Sequence, residues 1–159
     1  MKIRVGFGFD VHQLQENRDF WLGGIIIPHT KGALGHSDAD TLIHAICDAL
    51  LGAANLGDIG THFPDTSEKY KNIDSKILLK NVAELLLKNS FSIGNIDCTI
   101  CLQKPKISDY IPAMKNILAK TMNIPENDIS IKATTTERMG FVGREEGISA
   151  YAVALIMST

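Results

Sequence analysis

Strand-like and helix-like periodicities alternate along the chain and predict an α+β fold. Alternating or short continuous apolar runs, typical of strands, occur at residues 2–12, 20–22, 25–27, 96–102, 129–136 and 148–157. The pair Gly23-Gly24 separates two of these runs and predicts a tight hairpin. Helical spacing runs from about residue 40 to residue 53 or 54, and again at 75–88 and 110–122.

The order of these elements favours one domain over residues 1–159. Long strands mixed with three helices indicate a mixed β-sheet with helices covering one face. We expect loops at 28–35, 57–66 and 137–144, where turn residues are frequent. The loop at 57–66 is long enough to act as a mobile flap over a site.

The helix that begins near residue 40 is predicted to carry a functional histidine. Ser37-Asp38-Ala39-Asp40 matches a capping box with Asp in place of the usual Glu, so Ser37 is the expected cap. Asp40, His44 and Asp48 recur at i, i+4 spacing, away from the apolar stripe of the helix. His44 therefore lies on a rigid element, outside the main packing face.

Composition excludes several functional classes. Charged residues make up 21% of the chain and the net charge is −2, which gives no global reason to bind nucleic acid or an anionic membrane. No apolar run is long enough to cross a bilayer. The odd number of cysteines, Cys47, Cys98 and Cys101, favours a reducing compartment. We expect a bacterial cytoplasmic protein, or a plastid one from which a transit peptide has been removed.

Asp10, His12 and His44 are the strongest candidates for a metal site. Asp10 and His12 are two apart in a strand, so their side chains leave on the same face. Two imidazoles and a carboxylate are a familiar zinc set with one open position. The same residue types also occur in the non-haem iron triad. A third interpretation is a hydrogen-bonded Asp10–His12 pair, with His44 on the helix surface.

Four further segments suit phosphate or cation binding, and each also has a purely structural interpretation. His36 precedes a helix N-terminus, which favours an anion. The run Thr134-Thr135-Thr136 before Glu137 has hydroxyls and a carboxylate, although threonine also simply favours strands. Cations at 104–106 and 140–146 suit a diphosphate or are solvated loop charges. One ligand with several phosphate oxygens and two metal positions would use all of them.

These segments, in this order, closely resemble the 2-C-methyl-D-erythritol 2,4-cyclodiphosphate synthase family over nearly the whole chain. Dinucleotide, P-loop and nucleophile-elbow motifs are absent from the sequence. The pieces that carry the resemblance are Gly8-Phe9-Asp10-Val11-His12, Leu22-Gly23-Gly24, His36-Ser37-Asp38-Ala39-Asp40, Asp48-Ala49-Leu50-Leu51-Gly52-Ala53, Gly57-Asp58-Ile59-Gly60, Phe63-Pro64-Asp65-Thr66, Lys132-Ala133-Thr134-Thr135-Thr136-Glu137 and Gly143-Arg144-Glu145-Glu146-Gly147.

The resemblance implies two metal positions. Asp10, His12 and His44 resemble the zinc ligands, with the substrate's β-phosphate or a water in the fourth position. Glu137 resembles the ligand of a second divalent cation, Mg²⁺ or Mn²⁺, which bridges the α- and β-phosphates. His36 and Thr135 resemble the catalytic residues that steady the transition state, and Ser37 resembles a partner of the erythritol phosphate.

The resemblance also implies the substrate contacts. The erythritol side corresponds to Asp58, Ile59, Gly60, Phe63, Pro64, Asp65, Thr66 and Ser67. The cytidine pocket corresponds to Leu102, Gln103, Lys104, Pro105, Lys106, Ile107, Ser108, Ala133, Thr134 and Thr135. Further substrate-binding positions, besides the metal ligands, are Val11, Thr136, Phe141 and Arg144.

The implied assembly is a homotrimer with its sheets facing the three-fold axis and its active sites between adjacent subunits. Phe9, Phe141 and Arg144 resemble the lining of an axial cavity, which in some members holds an isoprenoid diphosphate. The structural alternative is that Arg144 pairs with Glu146. No nucleic-acid or membrane partner is expected.

The implied activity is that of a metal-dependent phosphorus-oxygen lyase of the non-mevalonate (MEP) isoprenoid pathway. The 2-phosphate of 4-diphosphocytidyl-2-C-methyl-D-erythritol 2-phosphate attacks the β-phosphorus and expels CMP, leaving the cyclic diphosphate. Two alternatives stay open at this point: a zinc phosphohydrolase that activates water, and a trimeric isoprenoid-diphosphate binder whose metals are structural.

Overall fold

The computed structural model describes residues 1–158 and has two sheets, three long helices and several single helical turns. The strands are β1 (Ile3–Glu16), β2 (Phe20–Leu22), β3 (Ile25–Ile27), β4 (Lys31–Ala33), β5 (Phe91–Cys101), β6 (Ile129–Thr134) and β7 (Gly147–Ser158). The helices are α1 (Thr41–Ala54), α2 (Ile59–His62), α3 (Ser75–Lys88), α4 (Ile111–Met122) and α5 (Gly140–Gly143), with 3₁₀ turns at Glu68–Tyr70, Ser108–Tyr110 and Glu126–Asp128.

The main sheet is mixed, as the sequence predicts, so the α+β class is confirmed. Its strand order is β4-β1-β7-β5-β6. β1 and β7 pair antiparallel along almost their whole length, with Asp10 opposite Ala150 and His12 opposite Ile148. β5 and β6 pair in parallel. β2 and β3 form a separate hairpin, with the turn at Gly23-Gly24 as predicted.

One face of the sheet packs tightly on α1 because its strands present small residues there. Gly6 and Gly8 on β1 and the alternate alanines Ala150, Ala152 and Ala154 on β7 are all buried. A Cβ on Gly8 would lie 1.9 Å from the carbonyl oxygen of Ala45, so the glycine is required for this approach. The close packing sets the position of α1, and hence of His44, relative to β1.

The opposite face of the sheet is apolar and exposed in the single chain. Residues of β1 that alternate with the buried glycines are exposed by 43–64%: Ile3, Val5, Phe7, Phe9 and Val11. Tyr151 and Val153 continue this surface on β7, and Phe9 lies 5.2 Å from the Tyr151 ring. Contiguous apolar surface of this kind is typical of a protein–protein interface.

Several predicted boundaries were wrong. β1 extends to Glu16 because its end pairs with β4, which lies in the predicted loop at 28–35. One-turn helices occupy parts of the predicted loops at 57–66 and 137–144. β6 ends at Thr134 rather than 136, since its last partner on β5 is Cys101. No helix within residues 1–158 combines the length and the apolar character that crossing a membrane requires.

The predicted capping box was also wrong. The N-cap of α1 is Asp40, whose carboxylate accepts from the Ile43 amide at 3.0 Å, and the helix begins at Thr41. The carboxylate also accepts from the amides of Gly23 and Gly24 at 2.9 and 2.7 Å. Asp40 is therefore buried, not on the outer face with His44, and it joins the hairpin to the helix.

Candidate functional site

Asp10, His12 and His44 converge at the end of the α1–β1 contact. Asp10 Oδ2 lies 2.8 Å from His12 Nε2 and 3.1 Å from His44 Nδ1, and the two imidazole nitrogens are 3.3 Å apart. The three side chains are partly buried, and one potential ligand atom from each lies within 4.8 Å of the others. The strand alternation that predicted a shared face for Asp10 and His12 is present, and α1 supplies the third group.

The outer nitrogens of both imidazoles are held by the protein. His12 Nδ1 lies 2.8 Å from the Leu34 carbonyl oxygen, so this nitrogen donates. His44 Nε2 lies 3.0 Å from Ser75 Oγ and 3.2 Å from Ser37 Oγ. With Nδ1 of His12 and Nε2 of His44 protonated, the lone pairs of the other two nitrogens point into the cluster.

The charges in the cluster stabilise one another. Burial by itself raises the pKa of Asp10, but hydrogen bonds and positive charge from His12 and His44 outweigh it, so the pKa is below its usual value. Burial by itself lowers the pKa of His12, but the hydrogen bond and negative charge of Asp10 outweigh it, so that pKa is raised. A cation between the three groups would replace the proton on His12.

This donor set fits a tetrahedral divalent cation. Ligand atoms about 2.0–2.1 Å from a tetrahedral zinc ion are about 3.3 Å from one another. The separations of 2.8, 3.1 and 3.3 Å are near this value, so little movement would be needed. Three protein ligands leave one position open for a water or a substrate oxygen.

A cavity of about 420 Å³ opens beside the cluster. Phe63 stacks edge-on against Tyr70, with ring centroids 5.5 Å apart, and forms part of its wall. His36 Nε2 lies 3.2 Å from the Ser67 carbonyl oxygen, which ties the 63–67 segment to the loop before α1. The lining residues are His12, Gly35, His36, Ser37, His44, Ile59, Gly60, Phe63, Asp65, Tyr70, Ile73 and Leu78.

The remaining residues predicted for the erythritol side lie near this cavity but not in its lining. Asp58 caps α2 by accepting from the Thr61 amide and hydroxyl, both at 2.8 Å. Its pKa is lowered by these hydrogen bonds. Pro64 and Thr66 are exposed on the loop between α2 and the Glu68–Tyr70 turn.

The predicted cytidine segments form a second cavity of about 330 Å³. It is lined by Leu102, Gln103, Pro105, Lys106, Ile107, Ser108, Ala133, Thr134 and Thr135. Lys104 is exposed outside the lining and pairs with Glu145 at 3.3 Å. The first cavity is lined by none of these residues, so the described chain holds the two groups of predicted contacts in separate places.

Thr135 and Glu137 lie together after the end of β6. The Glu137 amide donates to Thr135 Oγ1 at 3.3 Å, and Glu137 and Arg138 have positive φ angles of 53° and 63°. Glu137 is exposed, and the Thr136 hydroxyl donates to the Met139 carbonyl oxygen. Within the single chain, Thr135 and Glu137 are not in the lining of the cavity beside the Asp10 cluster.

The residues predicted for the axial cavity lie at the exposed side of the sheet. Of the three, Phe141 lines a cavity of about 390 Å³, and neither Phe9 nor Arg144 does; the other lining residues are Val11, His12, Gln13, Glu146 and Gly147. Arg144 donates to the Glu146 carboxylate from Nε at 2.9 Å and from Nη2 at 3.1 Å. The alternative interpretation of Arg144, an ion pair with Glu146, is thus present in the chain.

Sequence reasoning missed several residues around the cluster. Tyr70, Ile73 and Leu78 line the first cavity, and Ser75 contacts His44. Asp48 accepts from the Ile59 amide at 2.7 Å and so holds the start of α2. The i, i+4 spacing had already placed Asp48 on the same helix face as His44, and only its contact with α2 was missed. Ser75 has no such signal, because it is the first residue of an ordinary amphipathic helix.

The YgbB family model matches residues 3–157, which include the cluster and both cavities. The chain belongs to the YgbB family. A relative from Bacteroides fragilis, named 2-C-methyl-D-erythritol 2,4-cyclodiphosphate synthase, is 67% identical over 98% of this chain and 98% of its own length. The relative of the same name from Bacteroides thetaiotaomicron is 65% identical over the same shares. The family resemblance predicted from the motifs is therefore confirmed.

Solved structures also match the fold of this chain. The bifunctional IspDF of Campylobacter jejuni matches 99% of this chain with a TM-score of 0.96 and 43% identity. The match covers 43% of that longer chain. The Plasmodium falciparum IspF in complex with CDP matches 99% of this chain and 97% of its own, with a TM-score of 0.87 and 34% identity.

Proposed function

We propose that this chain is a 2-C-methyl-D-erythritol 2,4-cyclodiphosphate synthase of the MEP isoprenoid pathway. The substrate is 4-diphosphocytidyl-2-C-methyl-D-erythritol 2-phosphate. Its 2-phosphate oxygen attacks the β-phosphorus, the bond from that phosphorus to the bridging oxygen breaks, and CMP leaves with the bridging oxygen. The product is the cyclic diphosphate, so the enzyme acts as a phosphorus-oxygen lyase.

The observation that carries the proposal is the Asp10–His12–His44 cluster at the edge of a cavity, in a chain 67% identical to a curated synthase. The attacking group belongs to the substrate, so the protein needs no nucleophile of its own. Its task is to align two phosphates and offset their repulsion, which cations and hydrogen-bond donors do well. The curated relative with 67% identity is named a cyclodiphosphate synthase, which favours this reaction over hydrolysis by an activated water.

Two cations fit the donor sets. Asp10, His12 and His44 would hold Zn²⁺, and Glu137 would hold Mg²⁺ or Mn²⁺. Bound there, the cations supply positive charge that neutralises the phosphate oxygens. His36 and Thr135 stabilise the transition state by hydrogen bonding, Ser37 binds the erythritol phosphate, and the 58–67 segment holds the erythritol.

A homotrimer would complete the site from two subunits. The cavity of residues 102–108 and 133–135 and the cavity beside His44 are separate within one chain. If the cytidine pocket of an adjacent subunit lay against the metal cluster of this subunit, the two cavities would form one active site. The exposed apolar face of β1 and β7 is the surface for such an assembly, with the sheets towards a three-fold axis.

The ends of this sheet would then surround an axial cavity. Phe9 and Phe141 would contact an isoprenoid tail and Arg144 its diphosphate, if Arg144 exchanges its bond to Glu146 for the ligand. Each subunit of this bacterial cytoplasmic enzyme would hold one such domain, residues 1–159.

His44→Ala is the variant that tests the metal's role in this reaction. It should remove zinc and turnover while the trimer persists, because the side chain is on α1, away from the exposed face of β1 and β7. Product analysis by ³¹P NMR, metal analysis and light scattering give the three readouts. Full turnover without zinc would refute the role of the cluster, and linear phosphate products from the native enzyme would favour a zinc phosphohydrolase.

A further inference from the structure

His44 has a second contact that the proposed reaction does not explain. Its Nδ1 faces Asp10 and His12, while Nε2 faces the opposite way, 3.0 Å from Ser75 Oγ. A metal on Nδ1 needs the lone pair there, so Nε2 carries the hydrogen and donates it. The acceptor of that hydrogen fixes both the tautomer and the rotation of the ring.

Ser75 is built to accept this hydrogen. Its hydroxyl donates to Asp38 Oδ1, and its backbone amide donates to Asp38 Oδ2 at 3.0 Å. The serine hydrogen is therefore committed to the carboxylate, and a lone pair of Oγ is left for His44. Ser75 is fully buried, so water does not compete for that lone pair.

Asp38 is itself held in place. Its Oδ1 accepts from the Asp40 amide at 3.2 Å, and its amide donates to the Ile73 carbonyl oxygen at 3.2 Å. The chain from His44 through Ser75 to Asp38 thus ends on the loop that precedes α1 and on the segment that precedes α3. These contacts leave the carboxylate little freedom to turn away from Ser75.

Ser37 is the competing acceptor. Its Oγ lies 3.2 Å from His44 Nε2, but it also accepts from the Ala39 amide at 3.1 Å. Ser37 is only partly buried and lines the cavity. A hydroxyl in that position is available to a bound substrate, whereas Ser75 lies behind the imidazole.

We propose that Ser75 and Asp38 are positioning residues for the metal centre: they orient His44 so that Nδ1 presents its lone pair to the cation. This inference rests on the proposed function, because it assumes that the cluster holds zinc. Groups that orient a ligating histidine in this way change metal affinity by about 10- to 100-fold.

The test compares Ser75→Ala with Ser37→Ala in the full-length protein. Zinc affinity is measured by competition with a chromophoric chelator, and the cobalt(II)-substituted proteins are compared by their visible absorption bands. Ser75→Ala keeps the backbone amide that Asp38 accepts from, so its metal-free melting temperature should stay near that of the native chain. We expect Ser75→Ala to weaken zinc binding about 10-fold or more and to shift the cobalt bands, and Ser37→Ala to change affinity less than about threefold.

Asp38→Asn keeps the test decisive if Ser75→Ala does not fold. Asp38→Asn should also weaken zinc binding. If both single variants fold, the double variant should bind zinc no more weakly than the weaker-binding single variant, since both changes act through one chain of bonds. Native affinity and unchanged cobalt bands in Ser75→Ala or Asp38→Asn would overturn the inference, as would an equal effect of Ser37→Ala. A native chain that bound no zinc would instead refute the metal site of the proposed function.

Discussion

Replacement of Gly8 by alanine should separate the metal ligands although Gly8 is not one of them. The added Cβ would lie 1.9 Å from the Ala45 carbonyl oxygen and 2.6 Å from the Ala49 amide nitrogen. Both atoms belong to the backbone of α1, so no side chain can rotate to relieve the overlap. Relief requires α1 to move away from β1, and His44 moves with it because it precedes Ala45 in the same helix.

The size of the movement follows from the overlap. Bringing the contact from 1.9 Å to the shortest tolerated distance of 3.0 Å moves the helix backbone by about 1.1 Å. Metal–ligand distances tolerate only about 0.2 Å, so His44 would lose its place in the zinc shell and affinity should fall by about 100-fold or more. The overpacked contact should also cost about 2–3 kcal/mol, or roughly 5–10 °C in melting temperature.

Gly52→Ala is the matched control. Gly52 lies on α1 as well, but nothing lies within 4 Å of the position its Cβ would occupy. Alanine there should stabilise the helix by up to about 1 kcal/mol and leave zinc binding unchanged. Zinc affinity from chelator competition and melting of the metal-free proteins by circular dichroism distinguish the two variants. A Gly8→Ala protein with native zinc affinity and native melting temperature would refute the claim that the β1–α1 approach positions the site.

Four further outcomes are expected. Glu137→Gln should weaken the second cation more than zinc, because the Glu137 carboxylate lies outside the Asp10 cluster; metal titration showing the reverse would contradict the assignment. Asp40→Asn should lower the free energy of unfolding in urea by about 2 kcal/mol, since its carboxylate accepts from three backbone amides, whereas the exposed Asp19→Asn should have little effect. Zinc affinity should fall as pH is lowered from about 8 to 6, because zinc displaces a proton from His12. Burial by itself lowers the pKa of His12, but Asp10 raises it above the ordinary value. Over the same range the metal-free protein should lose stability as pH rises. Protonated His12 stabilises the fold fully below the ordinary histidine pKa, and this stabilisation is lost as the pH rises through the raised pKa of His12 in the folded protein. Melting curves recorded with a chelator check the sign.

The helices and the metal cluster could be predicted because their signals are local. The helix Ser75–Lys88 has the predicted bounds, with Asp74 as a side-chain cap before a regular apolar stripe. Asp10 and His12 share a face by strand alternation alone. Convergence with His44 depends on Gly6 and Gly8, whose role as small residues is visible only once α1 packs on them.

The failed predictions involve tertiary pairing. Lys31–Ala33 is too short to show alternation, and it is a strand only because it pairs with residues 14–16 of β1. Ser37 matches a capping pattern, but Asp40 takes the cap because its carboxylate also satisfies the hairpin turn. Ser75 shows no functional signal at all, since its contact with His44 joins two helices that are separate in sequence.

The oxygen balance of the reaction tests the central claim most directly. The native enzyme, with zinc and Mg²⁺, would be given 4-diphosphocytidyl-2-C-methyl-D-erythritol 2-phosphate in ¹⁸O-labelled water, and both products would be analysed by mass spectrometry. Intramolecular attack predicts equal amounts of CMP and cyclic diphosphate, neither of which carries a solvent oxygen. A linear product or a CMP that contained ¹⁸O would show attack by water and contradict the account.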